Sequence, residues 1–204
     1  MKLLFTFCLI TSITLGQNNN NAFQNIKKQF TLISELKEKN RLTEKEIPYF
    51  CKDISVEGLL TYYYKDKSLK LIVHAYDQGH YTITHNYYVQ DEILFFYFSE
   101  EHVDNDTSIH DKHTGELLAI QENWSVSETR IYFDSNEAIK CLTKGYDNIN
   151  TTKEIRENYE RLSDHFKNKE IVCNDKEVSK ILSRYSKLIA YMGQNTKGIC
   201  PVHM

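Results

Sequence analysis

The chain has 204 residues, with 25 lysines and arginines against 28 acids, a net charge of -3 and 41% hydrophobic content. That balance excludes a wholly disordered chain, a collagen-like chain and a polytopic membrane protein, and without a basic excess a general nucleic-acid binder is disfavoured. Seven glycines and two prolines leave no room for a long Gly/Pro linker or a Gly-rich phosphate loop.

Residues 1–16 read MKLLFTFCLITSITLG. Lys2 precedes an apolar run from Leu3 to Ile10, and the small residues Thr14 and Gly16 follow. This is the layout of a secretory signal peptide cut between Gly16 and Gln17. A membrane anchor needs about 18–20 apolar residues, and this run is shorter. Cys8 lies inside the apolar run behind Phe7, so a lipoprotein cut does not fit. No later segment is apolar and long enough to span a bilayer, and what remains is long enough for one domain with a real core. The polar run at 17–21 reads as a disordered leader. Residues 22–204 read as a single α+β domain.

Phe23, Ile26, Phe30, Ile33 and Leu36 recur at helical steps, so a helix is expected over 22–39. Asn40–Glu46 is polar, and Pro48 and Cys51 lead out of it. Residues 58–144 form the β region. Strands are expected at 58–64, 69–76, 80–89, 93–99, 127–133 and 138–144, joined by polar turns. Gly79 supplies the positive φ for one turn. Residues 93–99 are apolar on both faces, which places that strand centrally or beneath a helix. Residues 100–123 are acidic and histidine-rich and read as a long loop. The region 152–193 reads as helical, in two stripes. Ile155, Tyr159, Leu162 and Phe166 form the first; Val178, Ile181, Leu182, Tyr185, Leu188, Ile189 and Met192 form the second. Asn174 or Asp175 caps its start and Gly193 its end. The tail from Gln194 is weakly specified. The expected architecture is an antiparallel meander of about six strands, with one N-terminal and two C-terminal helices covering one face.

Three segments align: Tyr62-Tyr63-Tyr64-Lys65-Asp66, Tyr87-Tyr88-Val89-Gln90-Asp91 and Tyr132-Phe133-Asp134-Ser135-Asn136. Each opens with two aromatics, carries Asp or Asn four positions after the first, and leads to an aliphatic at Leu69, Leu94 or Ile139. Each reads as a hairpin: aromatics on the pleated strand, a short polar side chain at the turn, an aliphatic on the return. With Glu57-Gly58, Ile72-Val73 and Arg130-Ile131-Tyr132-Phe133, the stretch 55–143 resembles a group of small secreted bacterial proteins. Their hairpins carry a Y-Y-F-x-[DN]-G-K-L pattern. All three turns here lack that glycine, so longer or differently shaped turns are expected. The resemblance implies export and a β core, and implies no catalytic residue.

Cys51, Cys141, Cys173 and Cys200 permit two disulfides in three connectivities, or free buried thiols. None pairs as C-x-x-C, so a zinc ribbon or thioredoxin-like pair is unsupported. His110 and His113, three residues apart, form a candidate metal site with His102 or a carboxylate, set against a simple solvated loop. His74, His80 and His85 read as partly exposed strand residues, since no nucleophile motif accompanies them. Three N-x-S/T matches begin at Asn105, Asn123 and Asn150. Fourteen tyrosines stand out. They serve sheet packing, or form an exposed binding face carried by Tyr62, Tyr64 and Tyr88. The functional expectation is an exported, non-catalytic binding module, secreted or periplasmic, without cofactor. It would meet another envelope or extracellular protein through that face or through 100–123. A metal-binding protein or metal-dependent hydrolase and a structural envelope protein are the alternatives.

Overall fold

The computed structural model describes residues 11–158, 161–192 and 200–203, with side chains from Asn21 on except Arg156. Helix α1 (Thr11–Glu38) comes first and takes in residues 17–21, expected as a disordered leader. Strands β1 (Thr43–Cys51), β2 (Val56–Lys65), β3 (Ser68–Gln78), β4 (Tyr81–Gln90) and β5 (Ile93–Asp104) follow. Then come β6 (Thr107–His110), β7 (Leu117–Gln121), β8 (Trp124–Asp134) and β9 (Glu137–Asp147). Short helix α2 (Lys153–Asn158), a 3-10 turn at Leu162–His165, β10 (Lys169–Ile171) and helix α3 (Asp175–Tyr191) complete the order, before a last 3-10 turn at Pro201–His203. No helix among the described residues is long and apolar enough to cross a membrane.

Eight strands form one antiparallel sheet in the order β1-β2-β3-β4-β5-β8-β9-β10, and β6 pairs with β7 alone. The expected α+β class and antiparallel meander hold, while the count of six strands is too low. Strand β1 is an edge: only Ile47, Tyr49 and Cys51 turn inward, and Pro48 is tolerated because one side of an edge strand needs no ladder partner. Strand β10 interrupts the expected helical region 152–193, and 100–123 is no irregular loop but the end of β5 followed by the β6–β7 hairpin. Tyr159 and Gly193 lie outside the described residues.

The helices do not share one face. Alternation gives each strand two apolar sides, and each side is covered. On one side Leu60, Tyr62, Ile72, Tyr87, Leu94, Tyr97 and Phe133 pack under Ile181, Tyr185, Leu188 and Tyr191 of α3. On the other, Leu71, Tyr88, Phe96 and Tyr132 pack under Ile26 and Ile33 of α1. There Phe23 meets Tyr132 edge-on at 4.8 Å and Phe30 meets Tyr88 at 5.0 Å. Asn174 caps α3: its side chain accepts from the backbone N–H groups of Lys176 and Glu177.

The three aligned hairpins share one geometry. Each has a register shift two residues ahead of its turn, between Tyr63 and Tyr64, Tyr88 and Val89, and Tyr132 and Phe133, so the third segment is displaced by one residue from the sequence alignment. Each then turns through two residues of positive φ: Asp66 and Lys67, Asp91 and Glu92, Ser135 and Asn136. That is a two-residue type I′ turn, whose twist matches the flanking strands. The turns are thus tight two-residue turns, and non-glycine residues take the positive φ in each.

Two disulfides staple the fold, Cys51–Cys200 and Cys141–Cys173. They fit an oxidising compartment, extracellular or periplasmic.

Candidate interaction site

The tyrosines expected to form a bare binding face are covered. Tyr62 is fully buried and its hydroxyl donates to the Leu188 carbonyl at 3.0 Å. Tyr64 is half-buried, with its hydroxyl 2.6 Å from Met192 Sδ. Tyr88 is buried on the opposite side, against Phe30. Residues two apart on one strand share a face, and that face lies under a helix, so tyrosine here is packing material with a hydroxyl that must find an acceptor.

The strand histidines His74 and His85 are buried, not partly exposed. Registered pairing sets them side by side in one row: Thr129 opposite Ser99, Ser99 opposite His85, His85 opposite His74, His74 opposite Leu60. Arg184 of α3 reaches His85 Nε2 at 3.0 Å, and His85 Nδ1 lies 2.8 Å from the Tyr97 hydroxyl. A guanidinium only donates, so Nε2 accepts and Nδ1 carries the proton, which it donates to Tyr97. The Tyr49 hydroxyl meets His74 Nε2 at 2.6 Å, while His74 Nδ1 has no hydrogen-bond partner among the described residues. Burial, with the Arg184 charge nearby, holds both imidazoles down to about 3, and burial pushes Tyr97 up to about 12. These groups are neutral at ordinary pH and sit beneath a helix. The arrangement is a polar layer in the core that orients α3 over the sheet.

Gly58 makes room for this layer. It stands opposite both Tyr49 and Tyr76, and a Cβ there would run into the Tyr49 ring tip and come within 2.7 Å of the Ala75 carbonyl. Gly58→Ala is expected to cost about 1–3 kcal/mol, because backbone on one side cannot yield. A urea melt checks it, and an unchanged midpoint would show that Tyr49 swings aside freely.

The three metal candidates are not brought together. His102 is exposed on β5. His110 ends β6, with Nδ1 3.1 Å from the Gly115 carbonyl, and His113 lies in the following turn. Among the described residues one trio of donor-bearing side chains lies within 4.8 Å, Asp53, Cys200 and His203, and the Cys200 sulfur is bonded to Cys51.

What stays open is the β6–β7 arm. All nine of its strand residues are exposed, including Ile109 at 43%, Leu117 at 51%, Leu118 at 62% and Ile120 at 59%. Its tip is a tight loop. The Asp111 carboxylate accepts from the backbone N–H groups of His113 and Thr114 and from the Thr114 hydroxyl, and Gly115 takes φ +73°. Those donors hold the Asp111 carboxyl below the usual range. At the base, Asp106 accepts from the Asn123 N–H, and the Asn105 N–H donates to the Asn123 carbonyl. Residues 104–123 carry five acids, Asp104, Asp106, Asp111, Glu116 and Glu122, against Lys112 as the one lysine or arginine. The composition of this arm was legible; its hairpin pairing was not, because a register shift at Ile109/His110 breaks the alternation.

Compared with family models, with curated proteins and with solved structures, the chain finds no match.

Proposed function

We propose that this chain is an exported, non-catalytic binding protein. It seats the β6–β7 arm in an apolar cleft, rimmed by basic groups, on another extracellular or envelope protein. The carrying observation is the arm itself: an acid-flanked hairpin with aliphatics on both sides and no cover from the described residues. A lone two-stranded ribbon is marginal in water, so four exposed aliphatics on one argue for a surface they meet. The acids at its base and tip supply complementarity to a cationic rim, which directs encounter. The two staples support a rigid platform behind the arm, and the N-terminal segment supports export.

A photo-crosslinking side chain at Leu118, used in the intact exported protein, tests this. One adduct is expected, with a protein bearing a basic-rimmed cleft. The paired change Leu117→Asp/Ile120→Asp is expected to weaken binding to that purified protein at least ~30-fold, with the melting temperature unchanged. Adducts with many proteins, with a second copy of this chain, or with none would overturn the reading.

A further inference from the structure

The two disulfides are matched in several respects. Each spans 5.3 Å between Cα atoms. Each joins a buried cysteine, Cys51 at 3% or Cys141 at 2% exposure, to a half-buried one, Cys200 or Cys173. They differ in what surrounds the accessible sulfur. Cys200 opens the 3-10 turn Pro201–His203, and the His203 N–H donates back to the Cys200 carbonyl at 3.2 Å. That turn brings the imidazole round to the Cys200 side, where His203 Nε2 lies 2.7 Å from Asp53 Oδ2. The imidazole, the carboxylate and the Cys200 sulfur all lie within 4.8 Å of one another. Among the described residues no such trio surrounds Cys141 or Cys173.

We propose that Cys51–Cys200 is a thiol-exchange site, opened by a dithiol reductant through a mixed disulfide on Cys200, with the Asp53–His203 pair assisting. This is independent of the arm and its partner. A thiolate needs access and a favourable local charge, and its reaction also depends on how well the departing thiol carries negative charge. The half-buried Cys200 Sγ offers the access. Its bond to Cys51 breaks as the reductant's sulfur bonds to it, and the electron pair leaves on Cys51 Sγ, which takes a proton from water. The reductant's second thiolate then attacks its own bound sulfur. Cys200 leaves as a thiolate beside the His203 imidazole, whose orientation Asp53 holds, and takes a proton from water. The reductant ends as its disulfide, having supplied two electrons, and the chain ends with two thiols. Opening frees the Cys200–His203 segment from Val56 and Tyr76, against which Cys200 and Val202 pack.

The test uses intact, folded protein with both disulfides formed, exposed to dithiothreitol without denaturant, alkylated at intervals and mapped by mass spectrometry. Cys51–Cys200 is expected to open at least ~10-fold faster than Cys141–Cys173. His203→Ala and Asp53→Asn are expected to narrow that ratio, while His203→Lys keeps it. The ratio within one molecule separates this role from general destabilisation, which speeds both bonds. A reductant whose second cysteine is replaced by serine is expected to be trapped on Cys200. Opening of both bonds at one rate, a ratio indifferent to His203→Ala, or trapping on Cys51, Cys141 or Cys173 would overturn the proposal.

Discussion

Replacing Cys141 and Cys173 together by alanine is expected to lower the unfolding free energy by about 4 kcal/mol. The two residues lie 32 apart in sequence. Closing a loop of that size in the unfolded chain restricts it by about this amount on the chain-entropy account. The native geometry adds a reason specific to this fold. Cys141 is buried on β9 and faces the α3 side, and Cys173 immediately precedes the capping residue Asn174. The bond therefore ties the start of α3 to the sheet at the end remote from Tyr62 and Leu188. It also holds the three-residue β10 against β9, where Glu170 meets Lys140 at 2.8 Å. A three-residue edge has too few ladder bonds to stay paired alone. Urea unfolding of the oxidised parent and the double variant measures the effect. The midpoint is expected to fall and the slope m to rise, because an unfolded chain without the cross-link exposes more surface. A loss below ~1 kcal/mol would show that the unfolded chain is already compact around this loop.

The parts of the fold legible in the sequence are those with strong local signals. The three hairpins announced themselves through paired aromatics, a polar turn and a returning aliphatic, and all three stand where expected. Helix α3 was legible through its stripe and its Asn174 cap. The edges were not. Strand β1 shows the core only Ile47, Tyr49 and Cys51, and Pro48 between them reads as a break. Strand β10 is too short to carry a period at all.

The candidate sites failed for a different reason, which is the number of layers. A tyrosine on a strand reads alike whether its face is bare or covered, and what covers it comes from helices distant in sequence. Tyr62 waits on Leu188, and His85 on Arg184. One clue was present: Val73-His74-Ala75 places a histidine among apolar neighbours, as residues 93–99 are apolar on both faces. Read together, they ask for helices on both sides. Disulfide partners were open in the same way, since four positions in sequence carry no distances. The acidic, polar character of 100–123 was legible because charge is a property of the residues themselves, whereas the exposure of its aliphatics on β6 and β7 shows only in the fold.

Acidification from pH 7 to pH 5 is expected to remove up to about 4 kcal/mol of stability, because two buried histidines must stay neutral in the folded protein. In the unfolded chain each imidazole titrates near 6.5, whereas burial and the Arg184 charge hold His74 and His85 down to about 3 in the fold. Below 6.5 the unfolded chain takes up protons that the native chain refuses, so stability falls as pH falls. The contribution is whole above about pH 7, declines by up to about 1.4 kcal/mol per pH unit for each group through the window from 6.5 to 3, and levels off below it. Carboxylates hardly titrate between pH 7 and 5, which leaves this window to histidine. Urea midpoints at pH 7, 6 and 5 measure the slope. His74→Gln and His85→Gln are each expected to be less stable than the parent at pH 7, since each breaks a hydrogen bond in the buried layer, yet each should remove about half of the excess pH dependence. A parent whose midpoint is the same at pH 7 and pH 5 would mean that water or a rearranged Arg184 solvates the imidazolium pair, and that α3 does not seal this part of the sheet.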